Sequence, residues 1–252
     1  MATSPLRLEA LRRRLARLEG QAPSDAGRFD LGHTSADACL GGLNRRALHE
    51  VQAASGMDLV SADGFALGLA ARAAGDGFIA WIVQTMTTAE AGLPYGEGLA
   101  DWGLDPGRML LVRTRDATGL LAAGEDALKS GALGAVVMSV WAAPKALNLT
   151  ATRRLALAAR ESGTAAILVR SGAVDQAGAS ETRWTITSAP SRALEAGAPG
   201  RPALTVRLDK NRTGANPGQW MMEWRSDERG FADLAAVSGD LVPLAAQRPT
   251  AA

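Results

Sequence analysis

The first chemistry-bearing pattern in this chain is residues 49–74, HEVQAASGMDLVSADGFALGLAARAA. A short strand over Leu48–Ala53 runs into a loop with Ser55 and Gly56. An apolar helix follows, with Phe65, Leu67, Leu69 and Ala70 as buried candidates. Strand, glycine-bearing loop and helix is the order in which a phosphate is cradled. A helix N-terminus leaves its first amides unpaired and carries partial positive charge, both of which attract anions. The phosphate-binding motif G-x-x-x-x-G-K-[ST] also requires a lysine at the mouth of the helix. No lysine or arginine occurs from Ala47 to Ala71. Ordinary phosphate-loop chemistry is therefore excluded here.

Other residue types narrow the chemistry further. Cys39 is the only cysteine, so an internal disulfide and a cysteine-rich metal site are ruled out, as suits a reducing cytoplasm. With only His33 and His49, a histidine-based metal site is not expected either. Formal net charge is +1 over 252 residues, so no strong overall field draws the chain to nucleic acid or membrane. The charge is uneven: residues 6–19 carry five arginines against two glutamates, and residues 84–126 carry seven acids against three arginines. The opening MATSPLRLEALRRR lacks the apolar core of a signal peptide, and no run approaches the ~18 apolar residues of a membrane span. A soluble, cytoplasmic protein without membrane contact is expected.

The elements that must position these residues alternate. Leu8, Leu11, Leu15 and Leu18 form one stripe of an N-terminal helix with arginines opposite, and GQAPSDAG reads as a linker. Apolar runs at Phe78–Val83, Met109–Val112, Ala135–Val140 and Ala165–Val169 have the length and β-branched content of buried strands. Helical patterns near 96–103, 117–130 and 150–162 lie between them. Such alternation predicts an α/β fold with a mostly parallel sheet flanked by helices. From Arg183 the segments RWTITSAP, ALTVRLDK and QWMMEWRS read as antiparallel strands added to one edge. The division is an N-terminal helix and linker over 1–27, one domain over 28–237, and a disordered tail over 238–252.

Three stretches in order, LGGLNRRALHEV (40–51), the segment 95–147 containing GLDPGRML and SGA, and ALTVRLDKNRTGANPGQWMMEW (203–224), resemble the core of the RecA recombinases. With the Arg/Leu-rich first helix, the helix LTATRRLALAARESG and the RW strand, the chain is most similar to the RecA-like ImuA family. That resemblance implies an accessory protein of damage-induced mutagenesis. Its implied partners are an ImuB-like Y-family polymerase homologue, through it an error-prone replicative-type polymerase, and RecA itself as a further candidate.

Within the resemblance, Ala62 stands at the place of the phosphate-loop lysine and Asp63 at the place of the magnesium-holding hydroxyl. Ser139 replaces the Walker B aspartate, and Gln84 lies near the catalytic glutamate. Arg170 and Ser171 replace the polar pair that senses the γ-phosphate. Asp58 and Asp63 would occupy the helix N-terminal field themselves, or Asp63 would serve only as a helix cap. The joint loss predicts a pseudo-ATPase with no cofactor. A rearranged DNA-dependent ATPase and a SulA-like inhibitor of cell division are the alternatives.

In DKNR, Lys210 and Arg212 match two basic residues that reach a neighbouring subunit's phosphates in the recombinases, and Arg207 would extend that patch. They are either an interface or solvated charge. The gaps WAAPKALN and RSGAVDQAGASETR, where DNA-binding loops would stand, are short and lack interior aromatics, so only weak or indirect DNA contact is expected. Trp220 and Trp224 share one strand face: buried they are core, exposed they would mark a protein interface. The Leu8–Leu18 stripe is expected to dock on a second copy, on a partner or on its own domain.

Overall fold

The structure is a computed structural model describing residues 27–173, 176–192, 198 and 200–234. The leucine stripe at Leu8, Leu11, Leu15 and Leu18 and the tail from Ser238 lie outside the described residues. The chain opens with a small antiparallel pair, β1 (Arg28–Phe29) and β2 (Leu43–Asn44), around helix α1 (Thr34–Leu40).

Six mutually parallel strands follow in the main sheet: β3 (Leu48–Ala53), β4 (Ile79–Gln84), β5 (Met109–Thr114), β6 (Ala135–Val140), β7 (Ala165–Arg170) and β8 (Thr182–Ala189). Antiparallel strands β9 (Ala203–Asn211), β10 (Gly218–Arg225) and β11 (Gly230–Asp233) extend it to the spatial order β11-β10-β9-β8-β3-β7-β6-β4-β5. The arrangement agrees with the RecA-like class. β1, β2, α1 and β11 were not anticipated from the sequence.

Two runs are corrected: RWTITSAP, expected among the antiparallel additions, forms β8, which lies parallel to β3 and is antiparallel only to β9, because the reversal of direction comes one strand later. Met109–Val112 forms β5, but as the sheet's edge, with Leu110 and Leu111 exposed. It pairs only with β4. Its composition matches that of the interior strands, and only its place in the order separates them.

The two faces are covered differently. Helix α2 (Leu59–Ala74), with α3 (Thr85–Ala91) and α4 (Gly96–Asp101), lies on the face bearing Val51, Trp81, Val137, Ile167 and Trp184. Helices α5 (Ala117–Lys129) and α6 (Leu149–Ser162) cover Ile82, Met138 and Leu168 on the other. Both start on side-chain caps: Asp116 accepts from the Gly119 amide at 2.8 Å and Asn148 from the Ala151 amide at 3.0 Å.

Helix α2 is buried on nearly every side, which its alanines and glycines permit. A Cβ at Gly68 would land on the Phe231 ring and within 2.9 Å of Trp224; at Gly64 it would meet Trp102 at 3.2 Å. These two positions, one turn apart, let the aromatic cluster of the C-terminal strands lie against the helix. Trp224 stacks on Trp102 at 5.4 Å and meets Phe231 edge-on at 4.9 Å.

Candidate functional site

The junction between β3 and α2 has the layout of a phosphate loop with altered contents. A single 3-10 turn, Gly56–Asp58, separates the strand from a helix that begins at Leu59. The mouth of α2 is therefore Leu59–Ser61. Ala62 and Asp63 stand farther in, beyond the first three residues of the helix. The absence of a cation is unaffected. Met57 and Val60, 91% and 64% exposed, present apolar surface where a phosphate would approach.

Asp58 stands at the N-cap position of the helix but makes no side-chain capping hydrogen bond, and Asp63 lies inside the helix, which corrects the reading of Asp63 as a cap. The Asp58 carboxylate accepts from the Ser188 amide at 2.9 Å, the Ser188 hydroxyl at 3.0 Å and the Ser55 hydroxyl at 2.7 Å, tying the loop to the end of β8. Burial would raise its pKa, but the Ser188 and Ser55 donors outweigh burial and hold it below the ordinary value.

Asp63 points from the helix into the sheet. There the Ser139 hydroxyl donates to its Oδ1 at 2.7 Å, and Ser139 Oγ in turn accepts from the Trp81 indole N–H at 2.9 Å. Two residues assigned to degenerate catalytic positions thus bond each other. Burial pushes the Asp63 carboxyl up to about 7, moderated by the Ser139 hydroxyl.

The remaining site residues stand apart. Gln84 Oε1 accepts from the Trp141 amide at 3.1 Å, and Ser171 Oγ accepts from the amide of Ala142, which has a left-handed φ of 56°. Arg170 is 1% exposed and committed to Glu50. Beside Asp63 opens a mostly apolar cavity of about 530 Å³, walled by Val60, Leu67, Trp81, Tyr95, Leu99 and Trp102. Among the described residues no group of His, Cys, Asp or Glu is placed to hold a metal ion.

The basic positions are held within the chain. A bulge opposite Arg183–Trp184 steps β9 from Leu208 to Lys210 and carries Lys210 to the side of Arg183. Lys210 Nζ and an Arg212 guanidinium nitrogen both donate to the Gly178 carbonyl at 3.0 Å. Burial, then the charges of Arg212 and Arg183, lower the Lys210 pKa, with Glu50 opposing. Arg207 instead pairs with Asp209 at 2.6 Å. The condition for an interface reading is not met at Trp224, which is 2% exposed and donates its indole N–H to the Trp102 carbonyl at 2.9 Å. Its strand face is the one turned toward α2, so it is core. Trp220 is half-buried against the same core, 6.3 Å from Trp184.

Sequence reasoning passed over Glu50. It lies in the interior strand β3, where Arg170 pairs with its Oε1, Arg183 with its Oε2 at 3.0 Å, and the Ser180 hydroxyl donates at 3.1 Å. The available signal was a glutamate inside a segment already read as a strand, because a buried charge requires partners.

Known proteins share much of this chain. Two relatives, each named Protein ImuA and from two strains of Caulobacter vibrioides, are 32% identical to it over 234 residues. The match spans 83% of this chain and 88% of each relative. No protein-family model matches.

Proposed function

The chain belongs to the ImuA family, and from that premise we propose that it is a non-catalytic RecA-like accessory factor of damage-induced, error-prone translesion synthesis. Its partner in this reading is an ImuB-like Y-family polymerase homologue, which links it to an error-prone replicative-type polymerase. The observation that carries the non-catalytic half is the chain Trp81–Ser139–Asp63. It joins the two positions, one on the helix and one on β6, that in the resemblance to the recombinases correspond to the magnesium-holding hydroxyl and the Walker B aspartate. Its donors are directed toward the carboxyl, and residues 47–71 hold no lysine or arginine. A nucleotide would bring negative charge toward Asp58 and Asp63 in a site without a lysine to offset it.

The test is titration calorimetry of the whole protein with ATP–Mg²⁺, alongside ATPase assays with single-stranded DNA and capture of the ImuB-like protein. The expected outcome is no tight nucleotide binding, no hydrolysis, and retention of the polymerase homologue. Micromolar ATP affinity abolished by changes within residues 54–63 would overturn the non-catalytic reading. Failure to retain the partner would overturn the proposed assembly.

A further inference from the structure

The opposite pole of β3, away from its junction with α2, holds a second cleft. It measures about 510 Å³ and is lined by Asn44, Arg46, Ala156, Arg160, Glu181 and Arg212 among others. Three guanidinium groups thus share it with one carboxylate. Several other arginines of this molecule are paired with acids: Arg170 and Arg183 with Glu50, Arg207 with Asp209, Arg225 with Glu223 and Glu228. Arg46, Arg160 and Arg212 form no ion pair with any described residue. The Arg46 side chain donates to the Arg160 carbonyl and that of Arg212 to the Gly178 carbonyl, neutral acceptors that leave both charges uncompensated.

Glu181 does not answer them. Its Oε2 accepts from Asn44 at 3.1 Å, and its Oε1 is buried without a partner. Lys210, bonded to the same Gly178 carbonyl as Arg212, adds a further cation, and burial together with Arg212 and Arg183 depresses its pKa. Arg153, exposed and also without an ion pair among the described residues, stands two turns from Arg160 on α6, about 10 Å along the helix.

We propose that this cleft binds the phosphodiester backbone of nucleic acid, one phosphate lying between Arg46 and Arg160 on one lip and Arg212 on the other. Guanidinium forks match paired phosphate oxygens, and the release of counterions from the strand drives such binding. Cations repeated along α6 suit a polymer with repeated charges better than a single free phosphate. No aromatic ring lines the cleft among the described residues, so bases find no stacking platform there, and the strand is held by its backbone, independent of sequence. This binding does not depend on the accessory role proposed above.

The experiment is fluorescence anisotropy of the full chain with a labelled oligothymidylate at low and moderate salt, with inorganic phosphate and a polyglutamate peptide as competitors. Arg160→Gln is the first variant, because its guanidinium makes no hydrogen bond to a described residue whose loss would disturb the fold. Arg46→Gln with Arg160→Gln and Arg212→Gln is the second, with circular dichroism to check folding, and Arg207→Gln is the control outside the cleft. The slope of log affinity against log salt is expected to fall by about 0.7 for each phosphate that is no longer neutralised. Affinity at low salt should drop severalfold for Arg160→Gln, more for the triple variant, and stay unchanged for Arg207→Gln. The proposal is overturned by no oligonucleotide binding, or by a slope and affinity that Arg160→Gln leaves unaltered. It is overturned equally if inorganic phosphate displaces the strand at equal phosphate concentration, or if the cleft variants lose only the peptide.

Discussion

Replacing Asp63 with Asn isolates the buried carboxyl between α2 and the sheet. The substitution keeps shape and hydrogen bonding, since an amide oxygen still accepts from Ser139, whose Oγ still accepts from Trp81. What it removes is the ionisation. In the folded chain burial raises Asp63 from 3.8 to about 7, whereas in the unfolded chain the carboxyl returns to its ordinary value. The folded state therefore keeps the proton across an interval in which the unfolded state has lost it, and stability falls as pH rises. The contribution is fully present below the unfolded value, declines by about 1.4 kcal/mol per pH unit above it, and is exhausted once pH passes the folded value. Over the whole interval that amounts to roughly 4 kcal/mol at most. The buried His49 acts on the acid side, because burial lowers its pKa, but it is common to both proteins and cancels in their difference. Urea unfolding followed by tryptophan fluorescence should show the Asp63→Asn variant close to wild type near pH 4 and increasingly the more stable up to about pH 7, with no further gain beyond. A stability difference that does not change with pH would refute the reasoning.

The glycines of α2 give a paired expectation. Gly68→Ala should destabilise by about 1–3 kcal/mol, because its methyl has nowhere to go against the buried Phe231 and Trp224 rings, while Gly64→Ala, facing the edge of a half-buried Trp102, should be near neutral as helix propensity offsets the close approach. Both are read by chemical denaturation. Glu50→Gln leaves the buried Arg170 guanidinium and the mostly buried Arg183 without their shared counter-charge, and should cost about 3–5 kcal/mol in the same measurement. A cost under about 1 kcal/mol would mean the pair is not desolvated.

How much of this was legible depended on range. The interior strands were readable because β-branched runs and turn residues act locally, and the helices over Ala117–Lys129 and Leu149–Ser162 were readable from their periodicity. The exposure of β5 was not, since an edge and an interior strand of one composition differ only in neighbours. The 3-10 turn at Gly56–Asp58 was not legible, because it leaves no separate mark in the residues. Glu50 and its arginines lie 120 and 133 positions apart, and no periodicity links them. For Trp220 and Trp224 the alternation gave a shared strand face, while which face of the antiparallel extension is covered depended on α2, more than a hundred residues earlier.

The fate of the basic residues and that of the β3–α2 junction point to one physical logic. In a phosphate-binding site the cations and the amides at the helix mouth meet a bound anion. Here the mouth carries Met57 and Val60 instead, and its nearest carboxylate, Asp58, is satisfied by Ser55 and Ser188. Lys210 and Arg212 are turned to a backbone carbonyl at the other pole of the sheet. Two unit charges about 5 Å apart at an effective dielectric of about 20 interact by roughly 3 kcal/mol. A lysine restored at the mouth would gain an attraction of that order for a phosphate, and an ionised Asp63 would oppose it with a repulsion of the same order. The apolar rim would still lack donors for the remaining oxygens. On the proposed non-catalytic reading the loss is therefore distributed: it lies in the helix start, the buried acid and the serine that holds it, and no single position reverses it.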